Sequence, residues 1–307
     1  MESTASAALQ RAASGRRVGW IGAGKMGAPM VRNLLKAGVA VAVTEPSEAA
    51  LQPLLRAGAS DAAAAPAGMV PDLVFATLPN DRALLDVVRG GPAGPGLAVT
   101  LARGAVFVEM STVSPNCSRD VAQALADAGI LYLRAPISGS TAMAETAALT
   151  LFASGDPQAW MAALPLLELM SAKQFYLGPD EQARYMKLVV NTLVGATSAV
   201  LAEALALGAA GGLGRADMME VLCQSAVASP LLAYKRTMVV EDDFAAAFTV
   251  TQMIKDFTLI SDAARDHGVP LPTTGLILEL YRAAANAGLR DQDFFALVKW
   301  HAGLSNS

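Results

Sequence analysis

The chain of 307 residues has little cysteine and histidine, with two of each. Cys117 and Cys223 are far apart in sequence and form no C-x-x-C motif, which argues against a disulfide framework and favours a reducing compartment. Two histidines are too few for a histidine-based metal site. The sequence therefore predicts neither a disulfide scaffold nor a bound metal.

Charge is also sparse and carries no strong bias. Charged residues make up 16% of the chain, the formal net charge is −4, and no basic run follows a helical pattern. These features argue against a nucleic-acid-binding surface. The longest apolar stretch, 188–202, is shorter than a membrane span, and its extension to 210 contains Glu203. We interpret this stretch as a buried helix and expect a small molecule, rather than a nucleic acid or a membrane, as the partner.

The first 16 residues differ in composition from the rest. They are rich in serine and alanine, carry Arg11 and Arg16, and contain one acid, Glu2. They lack the apolar core of a secretory signal. We interpret residues 1–16 as a flexible tail on a cytoplasmic protein, with a cleaved organelle-targeting peptide as the alternative.

A G-x-G-x-x-G motif is the most informative feature that is present. It follows an apolar strand pattern at 17–21, precedes a helical pattern, and consists of Gly22, Ala23, Gly24, Lys25, Met26 and Gly27. Gly22 allows a tight turn, Gly24 lets the backbone approach a phosphate, and Gly27 lets the following helix pack on the strand. The free N–H groups and the positive dipole end at the N-terminus of this helix then favour binding of the anionic phosphates. The motif predicts a dinucleotide pyrophosphate site.

An acidic residue follows at the distance that suits a ribose. Glu45 ends a second β pattern at 39–44 and stands 18 residues after Gly27, close to the spacing of about 20 at which a carboxylate binds the adenosine ribose hydroxyls. A carboxylate would repel a 2′-phosphate. NAD is therefore the expected cofactor, with NADP as the alternative.

Hydrophobic patterning predicts two domains. Apolar residues make up 53% of the chain, enough for two cores. Strand-like runs alternate with helical ones at 17–21, 39–44, 73–78, 106–110, 130–133, 149–153 and 174–177. This alternation predicts a Rossmann-type, doubly wound parallel sheet over 17–178, with helices on both faces. Only helical patterns follow in 179–307, beginning with a long helix at about 180–210 that joins the two domains.

The long helix carries the candidate acid/base. Lys187 and Asn191 are four residues apart and so share one face. Their neighbours at 188–190 and 193 are apolar, and desolvation would bring the pKa of a lysine down toward the range useful for proton transfer. The alternative is a lysine that extends its ammonium to solvent beside a surface asparagine.

Six motifs together resemble the β-hydroxyacid dehydrogenase family. They are the glycine motif extended through N-L-L-K-A-G to Gly38, Leu-Pro-Asn at 78–80, S-T-x-S-P at 111–115, A-P-x-S-G at 135–139, K-x-x-x-N at 187–191, and Lys255-Asp256. This family includes 3-hydroxyisobutyrate dehydrogenases, tartronate semialdehyde reductases and glyoxylate/succinic semialdehyde reductases. Segment 225–230 and Lys255-Asp256-Phe257 look loosely most like the last branch. The helical half is similar to the C-terminal domain of 6-phosphogluconate dehydrogenase.

The resemblance implies an NAD(P)-dependent oxidoreductase acting on a short β- or γ-hydroxy acid or its semialdehyde. It implies that the glycine loop and Glu45 hold the adenosine diphosphate, that Leu78, Pro79 and Thr112 line the nicotinamide, and that Lys255 closes over the cofactor. It further implies that Ser138, Gly139 and Ser140 bind the substrate carboxylate, that Asn191 orients the substrate, and that Lys187 is the catalytic acid/base. A lysine ammonium there would stabilise the alkoxide left by hydride transfer and supply its proton.

Three positions depart from the family pattern. Arg134 stands where an acidic residue is usual, Ser140 replaces the second glycine of the substrate motif, and Ala147 replaces a common glycine. Arg134 either loses a structural hydrogen bond or adds a cation that selects a more acidic or phosphorylated substrate. Ser140 is expected to narrow the space beside the carboxylate.

Two other functions share parts of this sequence pattern. Imine reductases share the fold, but an aspartate or a tyrosine usually takes the place of the lysine, so Lys187 favours carbonyl chemistry. A non-catalytic dinucleotide-binding scaffold would lack the lysine.

The apolar segments 276–281 and 294–298 contain more apolar residues than the core of one small helical bundle needs. They predict a homodimer or a higher homo-oligomer.

Overall fold

The computed structural model describes residues 17–64 and 71–305, so the predicted tail at 1–16 lies outside the described residues. The chain divides into two compact units, Met1–Lys187 and Leu188–Ser307. The boundary falls inside a long helix. Each unit has its own secondary structure and core, and the two are described separately.

The first unit alternates strands with helices. Its strands are β1 (Arg17–Ile21), β2 (Ala40–Thr44), β3 (Ser60–Asp61), β4 (Leu73–Ala76), β5 (Gly90–Gly91), β6 (Gly94–Pro95), β7 (Val106–Glu109), β8 (Leu131–Arg134), β9 (Ile137–Ser138), β10 (Leu149–Gly155) and β11 (Ser171–Tyr176). Its helices are α1 (Gly27–Lys36), α2 (Glu48–Arg56), α3 (Asp81–Arg89), α4 (Leu97–Thr100), α5 (Pro115–Ala128), α6 (Thr141–Glu145) and α7 (Pro157–Leu167).

The main sheet has the order β11-β10-β8-β7-β4-β1-β2-β3. All neighbours from β3 to β8 pair in parallel, which confirms the Rossmann-type α/β architecture. One reversal departs from the predicted parallel sheet, because β10 runs antiparallel to β8. Only β9 and the five-residue α6 separate these strands, and this segment is too short for the crossover helix that parallel neighbours need. Strand β11 is again parallel to β10, with α7 between them.

Both faces of this sheet are covered, which explains the continuous apolar character of its strands. Along β4, Leu73 and Phe75 join one core cluster, whereas Val74 and Ala76 join the other. Successive strand side chains point to opposite faces. The predicted arrangement of helices on both faces is thus present. The parallel pairing of β1, β2, β4 and β7 places their carboxyl ends at one edge of the sheet.

Ala147, in the turn before β10, has a left-handed backbone with φ of +54°. This conformation costs a non-glycine residue about 1–2 kcal/mol. The preference for glycine at this position therefore has a conformational cause, and the alanine leaves the turn under local strain.

The second unit is helical. Its helices are α8 (Gln182–Ala210, begun in the first unit), α9 (Arg215–Gln224), α10 (Pro230–Glu241), α11 (Val250–Asp266), α12 (Pro272–Ala284) and α13 (Leu297–Ser305), with a π turn at Ala285–Leu289 and a 3-10 turn at Phe294–Ala296. The Tyr281 hydroxyl donates to the Gly195 carbonyl at 3.0 Å, and the Ser198 hydroxyl donates to the Phe294 carbonyl at 3.0 Å. These bonds hold α8 against the rest of the helical core.

The prediction that 188–202 is a buried helix is wrong for one face. A stripe that includes Leu188, Ala199 and Leu205 is buried, but Leu193 and Val200 are 66% and 60% exposed. By length and composition α8 also qualifies as a membrane-crossing helix, with one third of its most apolar window buried. Periodicity alone could not reveal this, because the helix is apolar on both sides, whereas within 17–64 and 71–305 only one side is covered.

The apolar segments that were the basis for predicting a dimer are largely used by the unit's own core. Ile277, Leu278 and Tyr281 are buried, as is every residue of 294–298, whereas Leu276 is exposed. That argument for oligomerisation is therefore wrong. Exposed apolar residues that follow one another along a single helix are found instead on α8, at Val189, Leu193, Val200 and Leu207.

Candidate active site

The glycine motif forms a tight loop between β1 and α1. Gly22 has φ of +79°, and its N–H donates to the Thr44 carbonyl at 2.9 Å. A Cβ at Gly22 would collide with the Thr77 carbonyl oxygen, and one at Gly27 would lie 2.5 Å from Thr77 Oγ1. The Thr77 hydroxyl donates to the Gly22 carbonyl. Gly22 and Gly27 are therefore required by the packing of the loop itself.

Gly24 differs from the other two glycines of the motif. A Cβ added there would meet nothing within 4 Å, and the Gly24 carbonyl accepts the Ala28 N–H at 2.9 Å as α1 begins. The protein gives no internal reason for a glycine at this position. An open surface at the start of a helix suits the close approach of a phosphate, so the residues present fit a dinucleotide.

Glu45 lies beside the loop. Its Oε2 accepts the Ala23 N–H at 2.7 Å and its Oε1 accepts the Ser47 N–H at 2.9 Å. The sequence analysis predicted a role for this carboxylate toward the ribose alone, whereas the structure shows that it holds the glycine loop. Two carboxylate oxygens offer about four acceptor positions, which leaves capacity for ribose hydroxyls.

The loops after β4 and β7 are hydrogen-bonded to each other. The Leu78 N–H donates to Ser111 Oγ at 2.6 Å, and the Asp81 carboxylate accepts the Ser114 N–H at 2.9 Å and the Ser114 hydroxyl at 2.5 Å. These bonds hold the segments that contain Leu78, Pro79 and Thr112 at one edge of the sheet. Sequence reasoning missed Asp81 and gave Ser111 no role beyond its place in the motif at 111–115, although the polar residues that follow both strands were the available signal.

The segment 138–140 follows β8 at the same edge. Gly139 has φ of +142°, and a Cβ there would lie 2.8 Å from Leu149 Cδ2, so glycine is required. Ser140 Oγ accepts the Met143 N–H at 3.3 Å as the N-cap of α6. The departure at Ser140 therefore has a structural role, since a serine caps a helix better than a glycine. Ser138 lies in β9.

Helix α6 is also tied to α1 by a hydrogen bond near its C-terminal end. Asn33 Nδ2 donates to the Ala144 carbonyl at 2.8 Å. Asn33 belongs to the extended glycine motif, in which it was given no role. The bond links α1, which follows the dinucleotide loop, to α6, which follows the segment expected to bind the substrate carboxylate.

Arg134 is buried, with 6% of its surface exposed, and its Nη2 lies 2.5 Å from Glu181 Oε1. Its charge is thus already paired, which argues against the expectation that it selects a more acidic or phosphorylated substrate. Nor is Arg134 left without a structural hydrogen bond, because its Nε donates to Ser118 Oγ at 3.0 Å. Arg134 compensates a buried acid that the sequence analysis did not connect with it.

In the second unit the structure brings three predicted polar residues together. Asn191 Nδ2 donates to Asp256 Oδ2 at 2.5 Å, and Lys255 Nζ lies 3.1 Å from Asp256 Oδ1 as an ion pair. Asp256 is fully buried. Sequence reasoning included Asp256 only as part of a motif. Its position between the apolar Met253 and Phe257 of α11 was a signal that this acid is buried and has a structural or functional role.

Lys187 is partly buried and precedes Asn191 by four residues on the continuous α8. Their side chains therefore project from the same side of the helix.

Within 17–64 and 71–305, no group of three or more His, Cys, Asp or Glu residues could hold a metal ion.

Two family profiles match successive parts of the chain. Residues 17–178 match the NAD binding domain of 6-phosphogluconate dehydrogenase. Residues 182–301 match the family described as NAD-binding of NADP-dependent 3-hydroxyisobutyrate dehydrogenase. Together these matches extend over both structural units.

Individual relatives agree with the profiles. The chain is 32% identical to glyoxylate/succinic semialdehyde reductase 2, chloroplastic, of Arabidopsis thaliana over 92% of this chain and 78% of that protein. It is 32% identical to an NAD-dependent L-serine dehydrogenase of Pseudomonas aeruginosa over 92% of this chain and 97% of that protein. A crystal structure of a 3-hydroxyisobutyrate dehydrogenase from Salmonella typhimurium superposes with a TM-score of 0.83 at 27% identity, covering 93% of this chain and 99% of the other.

These matches confirm the resemblance on which the site residues were assigned, and they set aside the interpretation as a non-catalytic scaffold. The protein is an NAD(P)-dependent oxidoreductase that belongs to the 3-hydroxyisobutyrate dehydrogenase-like β-hydroxyacid dehydrogenase family.

Proposed function

We propose that the protein interconverts a short β- or γ-hydroxy acid and its semialdehyde, with NAD(H) as cofactor and Lys187 as the acid/base. Lys187 would hold a proton at the substrate's carbonyl oxygen and release it as that oxygen becomes a hydroxyl. Its positive charge would stabilise the developing alkoxide. Bound NAD(H) supplies or accepts the hydride.

The observation that carries this proposal is the hydrogen bond between Asn191, which lies one helical turn after Lys187 on α8, and the buried carboxylate of Asp256 on α11. Asp256 fixes the Asn191 amide through its Nδ2 group, which leaves the amide oxygen with a defined direction. An asparagine held in this way is already ordered before the substrate binds. It can therefore orient a substrate hydroxyl without a further loss of side-chain entropy. Lys187 then acts on a substrate that is already positioned.

The cofactor would be held by the first unit. The open position at Gly24 suits the pyrophosphate, and Glu45 suits the adenosine ribose. Leu78, Pro79 and Thr112 would contact the nicotinamide, and the family resemblance assigns Lys255 to cofactor binding. The substrate carboxylate would accept hydrogen bonds from the segment Ser138–Ser140, whose hydroxyls and backbone N–H groups supply donors without a fixed positive charge.

An initial-rate screen tests the proposal. We expect NADH-dependent reduction of at least one of glyoxylate, succinic semialdehyde, tartronate semialdehyde and methylmalonate semialdehyde, and no reduction of a cyclic imine. Activity confined to the imine would contradict the carbonyl chemistry proposed here.

Cofactor preference should depend on the charge of Glu45. We expect wild-type kcat/KM to be higher with NADH than with NADPH, because the carboxylate repels a 2′-phosphate. Glu45→Gln removes the charge and should shrink the NADH/NADPH ratio by about tenfold, equivalent to about 1.4 kcal/mol. Glu48→Gln is the matched control, since Glu48 is exposed three residues further on and should leave the ratio unchanged. A wild-type preference for NADPH would refute the role of Glu45.

We further propose that a second copy of the chain covers the exposed face of α8. Leu193, Val200 and Leu207 are exposed and spaced by seven residues, with Val189 four residues earlier, which is the spacing of a helix–helix seam. The opposite face of the same helix is held inside its own helical unit, as suits a helix of a folded domain.

Light scattering coupled to size-exclusion chromatography should therefore give a dimer or a larger homo-oligomer. Leu193→Glu with Val200→Glu should shift it toward the monomer, because carboxylates at the seam would have to lose water without a partner. Val99→Glu is the control, since Val99 is exposed in the first unit. A monomeric wild-type protein at micromolar concentration would contradict the proposal.

A further inference from the structure

Four charged side chains are buried together in the first unit. Glu109, Arg134, Glu181 and Arg184 are 0%, 6%, 7% and 1% exposed. They form two ion pairs, Arg184 with Glu109 and Arg134 with Glu181. We call these four residues the charge cluster. It has two charges of each sign and is neutral as a whole.

Arg184 makes contacts in several directions. Besides its contact with Glu109, its Nη1 donates to the Ser111 carbonyl at 2.8 Å, its Nη2 to the Tyr132 hydroxyl at 3.1 Å, and its Nε to Ser118 Oγ at 3.3 Å. Burial lowers the pKa of Arg184 to about 9, which still leaves the guanidinium charged at neutral pH. Its planar fork is therefore fixed on four partners.

The second ion pair shares two of these partners. Arg134 Nε donates to Ser118 Oγ at 3.0 Å, and its guanidinium lies 4.6 Å from the centre of the Tyr132 ring. Burial raises the pKa of the Tyr132 phenol, so its hydroxyl keeps its proton. Ser118 and Tyr132 thus join both ion pairs into one network.

The network joins the first turn of α8 to the edge of the sheet. Arg184 lies in that turn and Glu181 just before it, whereas Glu109 and Arg134 end β7 and β8. Ser118 adds α5. Charge-assisted hydrogen bonds to β7, β8 and α5 consequently fix the first turn of α8 in its position along the helix axis and in its rotation about that axis.

The same network extends to the loops proposed to line the nicotinamide. Glu109 Oε1 accepts the Ser111 N–H at 2.5 Å, and Ser111 Oγ in turn accepts the Leu78 N–H at 2.6 Å. Arg184 holds the Ser111 carbonyl. One guanidinium therefore connects the helix of Lys187 with the segments that contain Leu78 and Thr112.

We propose that the charge cluster is a positioning device for the proposed acid/base, and that Arg184 and Arg134 are positioning residues that act through Lys187. Lys187 follows Arg184 by three residues, a rise of about 4.5 Å along the helix, so the orientation set at Arg184 is passed to it directly. The inference rests on the proposed role of Lys187. A buried ion pair often adds no net stability relative to apolar residues, which is consistent with a role in orientation.

The test removes both charges of one pair together. Glu109→Gln with Arg184→Gln leaves no unpaired buried charge and places side chains that can still hydrogen-bond at both positions. We expect kcat to fall by about 10–100-fold, the loss associated with misplacing a catalytic group by up to about 1 Å. The NADH dissociation constant should change much less than kcat, because the glycine loop that would hold the pyrophosphate is untouched and an amide oxygen at position 109 can still accept the Ser111 N–H. The pH profile of kcat should keep its midpoint, because the cluster stays neutral.

The decisive comparison introduces the same double substitution into Lys187→Ala, with single-turnover measurements at high enzyme concentration. A positioning device that acts through Lys187 has nothing to position there, so the further loss should be less than about twofold. An equal loss in both backgrounds would show a general structural role and overturn the inference. Wild-type kcat in the double variant would overturn it too, while Lys187→Ala alone reports separately on the proposed function.

Two further variants complete the design. Arg82→Gln with Asp86→Asn neutralises an exposed pair of the same unit and should leave kcat and the melting temperature unchanged. If the double variant at 109 and 184 does not fold, Arg184→Lys replaces it. It keeps the charge, but one ammonium cannot reach all four partners of the guanidinium, so a lowered kcat with a retained melting temperature is expected, and an unchanged kcat would count against positioning.

Discussion

Lys187→Ala is expected to lower kcat by a factor on the order of 10²–10⁴, the range that a general acid/base contributes. The alanine can neither donate a proton to the substrate oxygen nor stabilise its developing charge. Lys187→Arg should be nearly as damaged, since the pKa of a guanidinium is too high for proton transfer at neutral pH. The measurement is kcat on the best substrate of the screen, together with the NADH dissociation constant, which should not change.

The matched control is Lys173→Ala. Lys173 is an exposed residue of β11 in the first unit, so its removal changes the net charge by the same amount and should leave kcat unaltered. If Lys187→Ala kept wild-type turnover, Lys187 would be only a lysine on the surface of a helix, and the mechanism proposed here would have to be abandoned.

Gly24→Ala is expected to weaken NADH binding by about tenfold or more, a loss of about 1.4 kcal/mol or more, and to leave the melting temperature unchanged. A Cβ at this position meets nothing in the protein, so the fold has no reason to respond. It would occupy the space in which the pyrophosphate approaches the backbone. Fluorescence titration with NADH and thermal unfolding without cofactor measure the two effects.

Gly27→Ala should lower the stability of the fold, in contrast to Gly24→Ala, which is expected to act on NADH binding. Its Cβ would lie 2.5 Å from Thr77 Oγ1 and 2.6 Å from the Gly22 carbonyl oxygen, and overpacking of this kind typically costs about 1–3 kcal/mol. The melting temperature should therefore fall. Gly275→Ala in α12 is the neutral control, because its Cβ has open space and the helix favours alanine. A fall in melting temperature for Gly24→Ala without loss of affinity would contradict the assignment of the loop.

The chain's local patterns predicted much of the fold because they are read over short distances. The strand that ends at Ile21, the glycine turn and the helix after it are specified by adjacent residues, and the same holds for the alternation that produces the sheet. The change to purely helical periodicity after residue 178 was equally local. Family motifs then located the glycine loop, the segment 138–140 and the pair Lys187 and Asn191.

Other features depend on residues that are distant in sequence. Asp256 meets Asn191 across 65 residues and Glu109 meets Arg184 across 75, and no periodicity shows such partners in advance. Arg134 therefore looked like an unexplained departure until Glu181 was found beside it. The reversal of β10 and the open face of α8 have the same origin, since pairing direction and exposure depend on what packs nearby.

By itself, the sequence determined the order and type of the elements, the dinucleotide loop and the family, because each is written in neighbouring residues or short motifs. The tertiary structure alone decided which charges are buried together, which apolar faces are covered, and which glycines serve the fold rather than an open surface. These properties arise from contacts between separate elements, and the free energy of a buried charge or a tight contact exists only once those elements have packed.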